Sequence, residues 1–335
     1  MLASLLLALP AEGAQPVTRV KNTRGWIESI DMDGARLAFD VKSSTCNKLF
    51  VWNVRTGAGA LVSGKGTCAA DSTSTGGGVT EIAVAGTQIA WIVNLGGNTE
   101  STDALYTATL PRPKERLLAR ATRTGDVGGT LTGGWIGGLV GDGDLLAADT
   151  WTTGAAGEVT AAALRRIRGA KLTAIATGLP VVQSSSADGG RIAVARLDGT
   201  IALYSNFGAV QRTIVPSSVK EVALQGGDLA VLTQSSTLEI YSASSGYRRA
   251  TWPVPAVAER LDLSGGIAVY AVNRTVHVLR IADGKEIELP PAPRAIAGLE
   301  IEAPGIVYAY NTVKGIREIG NLAFVPTAKA TSLLG

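Results

Sequence analysis

Short stretches in which apolar and polar residues alternate recur along this chain, each bounded by a turn containing glycine. Alternation with a period of two marks a strand whose two faces meet different surroundings. The unit reads as a short strand, a Gly turn, an apolar strand, a loop, a second alternating strand, another Gly turn and a closing strand. The first unit shows every part: Ile30 and Met32 precede Asp33 and Gly34, Leu37, Ala38 and Phe39 follow, Leu49 to Val54 alternates, Thr56 and Gly57 turn the chain, and Leu61 and Val62 end it. The apolar strand recurs as TQIAWIV from Thr87, DLLAADT from Asp144, GRIAVAR from Gly190, DLAVLTQ from Asp228, GIAVYAV from Gly266 and GIVYAYN from Gly305. The strand after it recurs as LYTATL from Leu105, AALRRI from Ala162, IALYSN from Ile201, LEIYSA from Leu238, VHVLRI from Val276 and IREIGN from Ile316.

A repeat of about forty residues built from four short strands, with no helical stretch between, belongs to radial sheet architectures. It predicts an all-β fold, a seven-bladed β-propeller with four antiparallel strands per blade. The expected blades span 25 to 63, 79 to 122, 132 to 178, 180 to 216, 218 to 255, 257 to 291 and 295 to 327. A parallel β-helix is the competing all-β arrangement, but its rungs are shorter and do not end so regularly in hairpin glycines. The division expected is a leader over 1 to 14 and one propeller domain over 15 to 335.

In the first unit DMDGARLAFD and LFVWNVRTG resemble the TolB-type relatives of WD repeats, in which a DG turn precedes an I-A-F strand and a later strand ends near an aspartate and a Gly turn. The other units keep the Gly and the apolar triplet without the aspartate-first turn, and Asn53 stands where WD repeats place the aspartate after Trp52. The resemblance implies a propeller acting chiefly as a periplasmic interaction platform. It transfers no active site, because a fold does not carry a function with it.

Composition fits one large core: of 335 residues 46% are hydrophobic, and 41 glycines serve many tight turns. The net charge of +3 is small and dispersed, which argues against nucleic acid as a partner. Two basic clusters, Arg165-Arg166-Arg168 and Arg248-Arg249, read as charges guarding strand edges, with a polyanion site as the alternative. Leu2 to Pro10 is an apolar run too short to cross a bilayer, followed by the small residues Ala11 and Gly13 around Glu12. That outlines a signal peptide lacking its basic start, and so a secreted or periplasmic protein without a transmembrane segment. In an oxidising compartment Cys46 and Cys68 would pair, closing a loop worth roughly 3 kcal/mol. Metal ligation is the alternative, but no third ligand follows at suitable spacing.

The chemistry of catalysis is mostly missing, and no catalytic residue is assigned. The single histidine, His277, lies within VHVLRI on an expected strand, as a hydrogen-bonded core side chain rather than a base. No GxSxG elbow is present, nor a nucleotide-binding glycine motif. Aligning the units on their glycines places Ser29, Glu81, Gly138, Ser184, Glu221, Arg260 and Glu300 at one position, with Asp31, Asp262 and Glu302 two places on. On first strands these carboxylates would line a central channel. They read either as channel-facing polar groups needing no cofactor, or as a calcium site, since a hard cation takes many oxygens.

Two segments exceed what a blade needs. NLGGNTESTD from Asn94 to Asp103 reads as a long polar loop, and Gly125 to Asp144 is rich in glycine, with Trp135 inside it and Trp151 beyond. Asn94, Asn98, Glu100, Asp103, Trp135 and Trp151 are the expected binding residues, and replacing Trp135 or Asn98 is expected to weaken binding with little effect on stability. The function expected is a monomeric, non-enzymatic platform for a protein or cell-envelope ligand. The alternative is a carboxylate-dependent hydrolase, lyase or lactonase at the channel mouth.

Overall fold

The structure is a computed structural model and describes residues 19–42, 47–63, 76–97, 99–126, 129–178, 182–216 and 218–335. Cys46, Cys68, Asn98 and the leader lie outside the described residues. After β1 (Arg19–Arg24), the first four-stranded sheet runs β2 (Ile30–Asp33), β3 (Arg36–Lys42), β4 (Asn47–Asn53) and β5 (Gly59–Ser63) in spatial order. An eight-stranded sheet follows, comprising β6 (Gly76–Ala85), β7 (Gln88–Gly96), β8 (Glu100–Thr109), β9 (Arg116–Thr124), β10 (Thr132–Asp142), β11 (Leu145–Thr153), β12 (Val159–Arg168) and β13 (Lys171–Thr177). Three more four-stranded sheets come next. They are β14 (Val182–Asp188), β15 (Arg191–Arg196), β16 (Ile201–Ser205) and β17 (Val210–Ile214); then β18 (Glu221–Gln225), β19 (Asp228–Leu232), β20 (Thr237–Ser242) and β21 (Arg248–Pro253); then β22 (Ala258–Ser264), β23 (Ile267–Val272), β24 (Thr275–Arg280) and β25 (Glu286–Glu288). The last sheet joins β26 (Ile296–Glu302), β27 (Gly305–Lys314) and β28 (Arg317–Pro326) to β1.

All strand pairs within these sheets are antiparallel, and the apolar strands read from the sequence are their second strands. Strands such as β3, β7 and β19 are buried on both faces because each sheet packs against a neighbour on either side. One core cluster, for example, joins Ala38, Leu49 and Val51 to Val84, Ile89 and Trp91. The first strands β2, β6, β10, β14, β18, β22 and β26 lie side by side in that order, and β26 returns to β2. They surround a channel cavity of about 230 Å³. This is an all-β propeller.

Three features depart from the expected layout. Seven separate four-stranded blades are not found among the described residues: five sheets have four strands, and the other eight strands form one sheet. The joint is small, with Thr132 opposite Thr124 and Gly133 opposite Arg123. It arises because β8 to β12 run to nine residues or more, long enough for β9 to meet β10. Second, the ring closes through β1, which the expected blades left out: Arg19 to Arg24 pairs antiparallel with Phe324 back to Ile319. Asn311 clamps that junction, its Oδ1 accepting Ile27 N–H at 2.9 Å while its Nδ2 donates to Ile27 C=O at 2.8 Å. Third, the chain ends in a helix, α1 (Thr327–Leu334), whose Ala330 and Leu334 enter the core beside Leu289 and Ala292.

Candidate functional site

Asp31, Glu81, Glu221 and Asp262 help to hold the ring together. Neighbouring first strands are not paired with each other in a ladder, so N–H groups pointing between them need an acceptor from a side chain. Side chains of one first strand supply it to the next. Glu81 accepts Leu139 N–H at 2.7 Å, Ser184 accepts Val222 N–H at 3.1 Å and Glu221 accepts Leu261 N–H at 2.9 Å. Two residues further along, Asp31 accepts Val84 N–H at 2.5 Å, Ser186 accepts Leu224 N–H at 2.9 Å and Asp262 accepts Ile301 N–H at 2.7 Å. At the turns Asp33 accepts Gly86 N–H, Asp142 accepts Gly189 N–H at 2.8 Å, Asp188 accepts Gly226 N–H at 2.7 Å and Gln225 accepts Gly265 N–H at 2.5 Å.

The alignment of the units therefore brought equivalent positions together: Glu81, Ser184 and Glu221, and two places on Asp31, Ser186 and Asp262, accept backbone N–H groups of the next first strand, while Glu300 and Glu302 line the channel. Burial is the main cause that raises the pKa values of Asp31, Glu81, Glu221, Asp262 and Glu300. Glu302 is pushed up to about 8 by burial and then by the charge of Asp262. Among the described residues no three His, Cys, Asp or Glu side chains are grouped as a metal-ligand set.

The second constellation lies where β9 meets β10, and it collects four of the expected binding residues. Asn94 and Asp103 are not in a loop. They sit opposite each other in the hairpin of β7 and β8, whose strands pair as far as Gly96 and Ser101. Asp103 is 4% exposed and accepts Nδ2 of Asn94 at 2.6 Å, the Arg123 guanidinium at 2.6 and 3.2 Å, and Ile136 N–H at 3.2 Å. Arg123 in turn lies 3.6 Å from the centre of the Trp135 ring. Trp135 and Trp151 are register partners on β10 and β11, with rings parallel to within 4° and centroids 5.8 Å apart. Trp135 Nε1 donates to Thr153 Oγ1 at 3.0 Å. Glu100 is exposed at the start of β8 and stands apart from this chain of contacts.

Both tryptophans are half-buried and line an open cleft of about 780 Å³, within the range that holds a ligand. Its remaining walls are small side chains from β9 and β12, such as Ala119, Ala121, Ala161 and Ala163, with Arg120 and Arg165. Arg165 is braced there by donating Nε to Thr150 Oγ1 at 2.8 Å. Trp135 is tied into the fold as well, touching Arg123, Trp151 and Thr153.

Sequence reasoning missed Arg123, since nothing local in ATRTG ties it to Asp103. It also missed Asp149, which is 4% exposed with neither carboxylate oxygen hydrogen-bonded, its pKa pushed up to about 8 by burial and then by Glu81. His277 lies on β24 and is 6% exposed, stacked on Tyr270 with Nδ1 2.6 Å from Glu286. Of the basic pairs, Arg248 meets the buried Glu239 at 2.8 Å and Arg249 meets Asp228.

No protein-family profile and no curated protein matches the chain. Solved structures do. A chain of the mitotic checkpoint complex is similar at a TM-score of 0.61 and 15% identity, over 97% of this chain and 97% of that one. The WD40 β-propeller domain of Doa1 is similar at 0.57 and 12%, over 93% and 97%. Saccharomyces cerevisiae Sqt1 is similar at 0.53 and 9%, over 93% and 100%. At such identities the likeness is one of fold, and that fold is the WD40-like β-propeller. Among the described residues no helix is long and apolar enough to cross a membrane.

Proposed function

We propose that this chain is a non-catalytic interaction scaffold that binds a protein or cell-envelope ligand in the cleft beside Trp135 and Trp151. The carrying observation is the cleft itself, an opening of about 780 Å³ lined by both tryptophans and by small side chains of β9 and β12. Aromatic side chains with an apolar body and a polar edge are favoured anchors of such surfaces. In this reading the eight-stranded sheet acts as two blades, giving seven in all. In this reading the chain is exported, which the apolar run before Ala11 and the TolB-like first unit support, and it acts as a monomer. The test compares partner capture by the wild-type chain and by Ala161→Trp, which fills the cleft from an exposed position on β12. Capture is expected to fall about tenfold with an unchanged melting temperature, and equal capture by both would overturn the proposal.

A further inference from the structure

We infer that Asp149 and Glu81 form a pH-sensitive latch beneath Trp151, so that proton loss from Asp149 unseats the ring and loosens the binding cleft; the consequence for binding rests on the scaffold reading above and supplies its regulation. Burial without a partner is the first ground. Asp149 is 4% exposed and neither of its carboxylate oxygens accepts a hydrogen bond, whereas Glu81 and Glu221 each take a backbone N–H. A buried carboxyl group with no donor beside it holds its proton, and burial followed by the charge of Glu81 pushes the pKa of Asp149 up to about 8.

The surrounding strands bring no cation to it. Glu81 of β6 faces Asp149 and is itself near enough to Asp103 of β8 to feel its charge. β10 contributes Gly137 and Gly138, and β14 contributes Ser185, whose hydroxyl donates to Gly138 C=O at 3.3 Å. On β12, Arg166 lies two residues from Leu164, the register partner of Asp149, but its guanidinium is 3.7 Å from Asp144. Ala147 packs with Ile192 and Val194 of β15, and Arg196, two residues further on, donates to Tyr204 Oη.

Position is the second ground. Gly137 is the register partner of Asp149, and a Cβ there would lie 3.1 Å from Cη2 of Trp151 and 3.2 Å from Oε1 of Glu81. A Cβ on Gly138 would lie 3.0 Å from Oδ2 of Asp149. The two glycines thus leave room in which the tip of the indole meets both carboxyl groups. From that seat the half-buried Trp151 reaches the cleft and stacks on Trp135. An ionised Asp149 would face a second acid and ring carbons, and water reaches it once the ring gives way. The closed seat keeps a proton that a hydrated aspartate gives up near pH 4. It is therefore favoured in acid, and that advantage is lost as pH rises through about 8.

The test is acrylamide quenching of tryptophan fluorescence in the full chain at pH 5 and pH 9, with Trp151→Phe as the reference that isolates the Trp151 signal. Quenching of that signal is expected to rise about twofold at pH 9, and to stay at its pH 5 level in Asp149→Asn, whose amide fills the same volume without a charge. Equal quenching at the two pH values in the wild-type chain, or the same rise in Asp149→Asn, would overturn the inference. A rise that Asp149→Asn removes upholds the latch even where no partner is captured at either pH, and it is then the scaffold reading that fails.

Discussion

Arg123 shows how one side chain ties a surface to the interior. Its side chain is 7% exposed and that of Asp103 is 6% exposed, so neither charge has water to fall back on. Removing one member of such a pair strands the other and costs roughly 3–5 kcal/mol, whereas replacing both with neutral groups costs far less. Arg123→Met is therefore expected to lower stability by about 3 kcal/mol, and Arg123→Met with Asp103→Asn to recover most of it. Urea unfolding of the two variants checks this. A single variant as stable as wild type would show that Asn94 and Ile136 N–H satisfy Asp103 without help. Trp135 depends on the same arginine, so binding defects in Trp135 variants are to be read beside their stability. Ala161, exposed on β12, is a cleaner probe of the cleft.

At the scale of strands, the repeat was legible because its signals are local: an apolar triplet two strands wide and a glycine at each turn. The first-strand alignment was legible too, and Glu81, Ser184 and Glu221 do fall on one rung. Their chemistry was not, because an acid that accepts the N–H of the next first strand looks in sequence like one awaiting a cation. Closure by β1 and the joint of β9 with β10 depend on partners that no local pattern names, Arg19 meeting Phe324 across the length of the chain. Gly133 is the residue that makes the joint possible. Its φ of 130° is one that side chains rarely adopt, and a Cβ there would lie 2.4 Å from Thr122 C=O. Gly133→Ala is expected to cost more than about 1 kcal/mol and to part β9 from β10 while the other sheets hold. Faster amide exchange confined to Arg123, Thr124 and the first residues of β10 is the expected signature, and unchanged exchange there would deny the joint its dependence on glycine.

For the whole ring, stability should depend on pH in a direction that the first-strand acids fix. Asp31, Asp262, Glu300 and Glu302 crowd the channel, with Asp33 and Asp142 near them, and burial first, then repulsion from nearby carboxylates (Glu221 in the case of Asp262), raises their pKa values in the folded chain. The folded state thus holds protons that the unfolded chain gives up near pH 4. Wherever the folded state binds more protons, stability falls as pH rises. The contribution is fully present below the unfolded values and is lost as pH climbs through the folded ones, which for Glu302 means about pH 8. The exposed Asp198 and Asp283 have lowered pKa values and act in the opposite sense, but only in more acidic solution. The melting temperature is therefore expected to fall steadily from pH 5 to pH 9. Glu302→Gln should remove the upper part of that fall, because the amide keeps an acceptor oxygen without a charge to expose. Calcium should shift the melting temperature little at pH 7, since Asp31, Glu81, Glu221 and Asp262 already accept backbone N–H groups. A flat profile from pH 5 to pH 9, measured by thermal melts in matched ionic strength, would mean that the channel acids ionise freely in the folded ring.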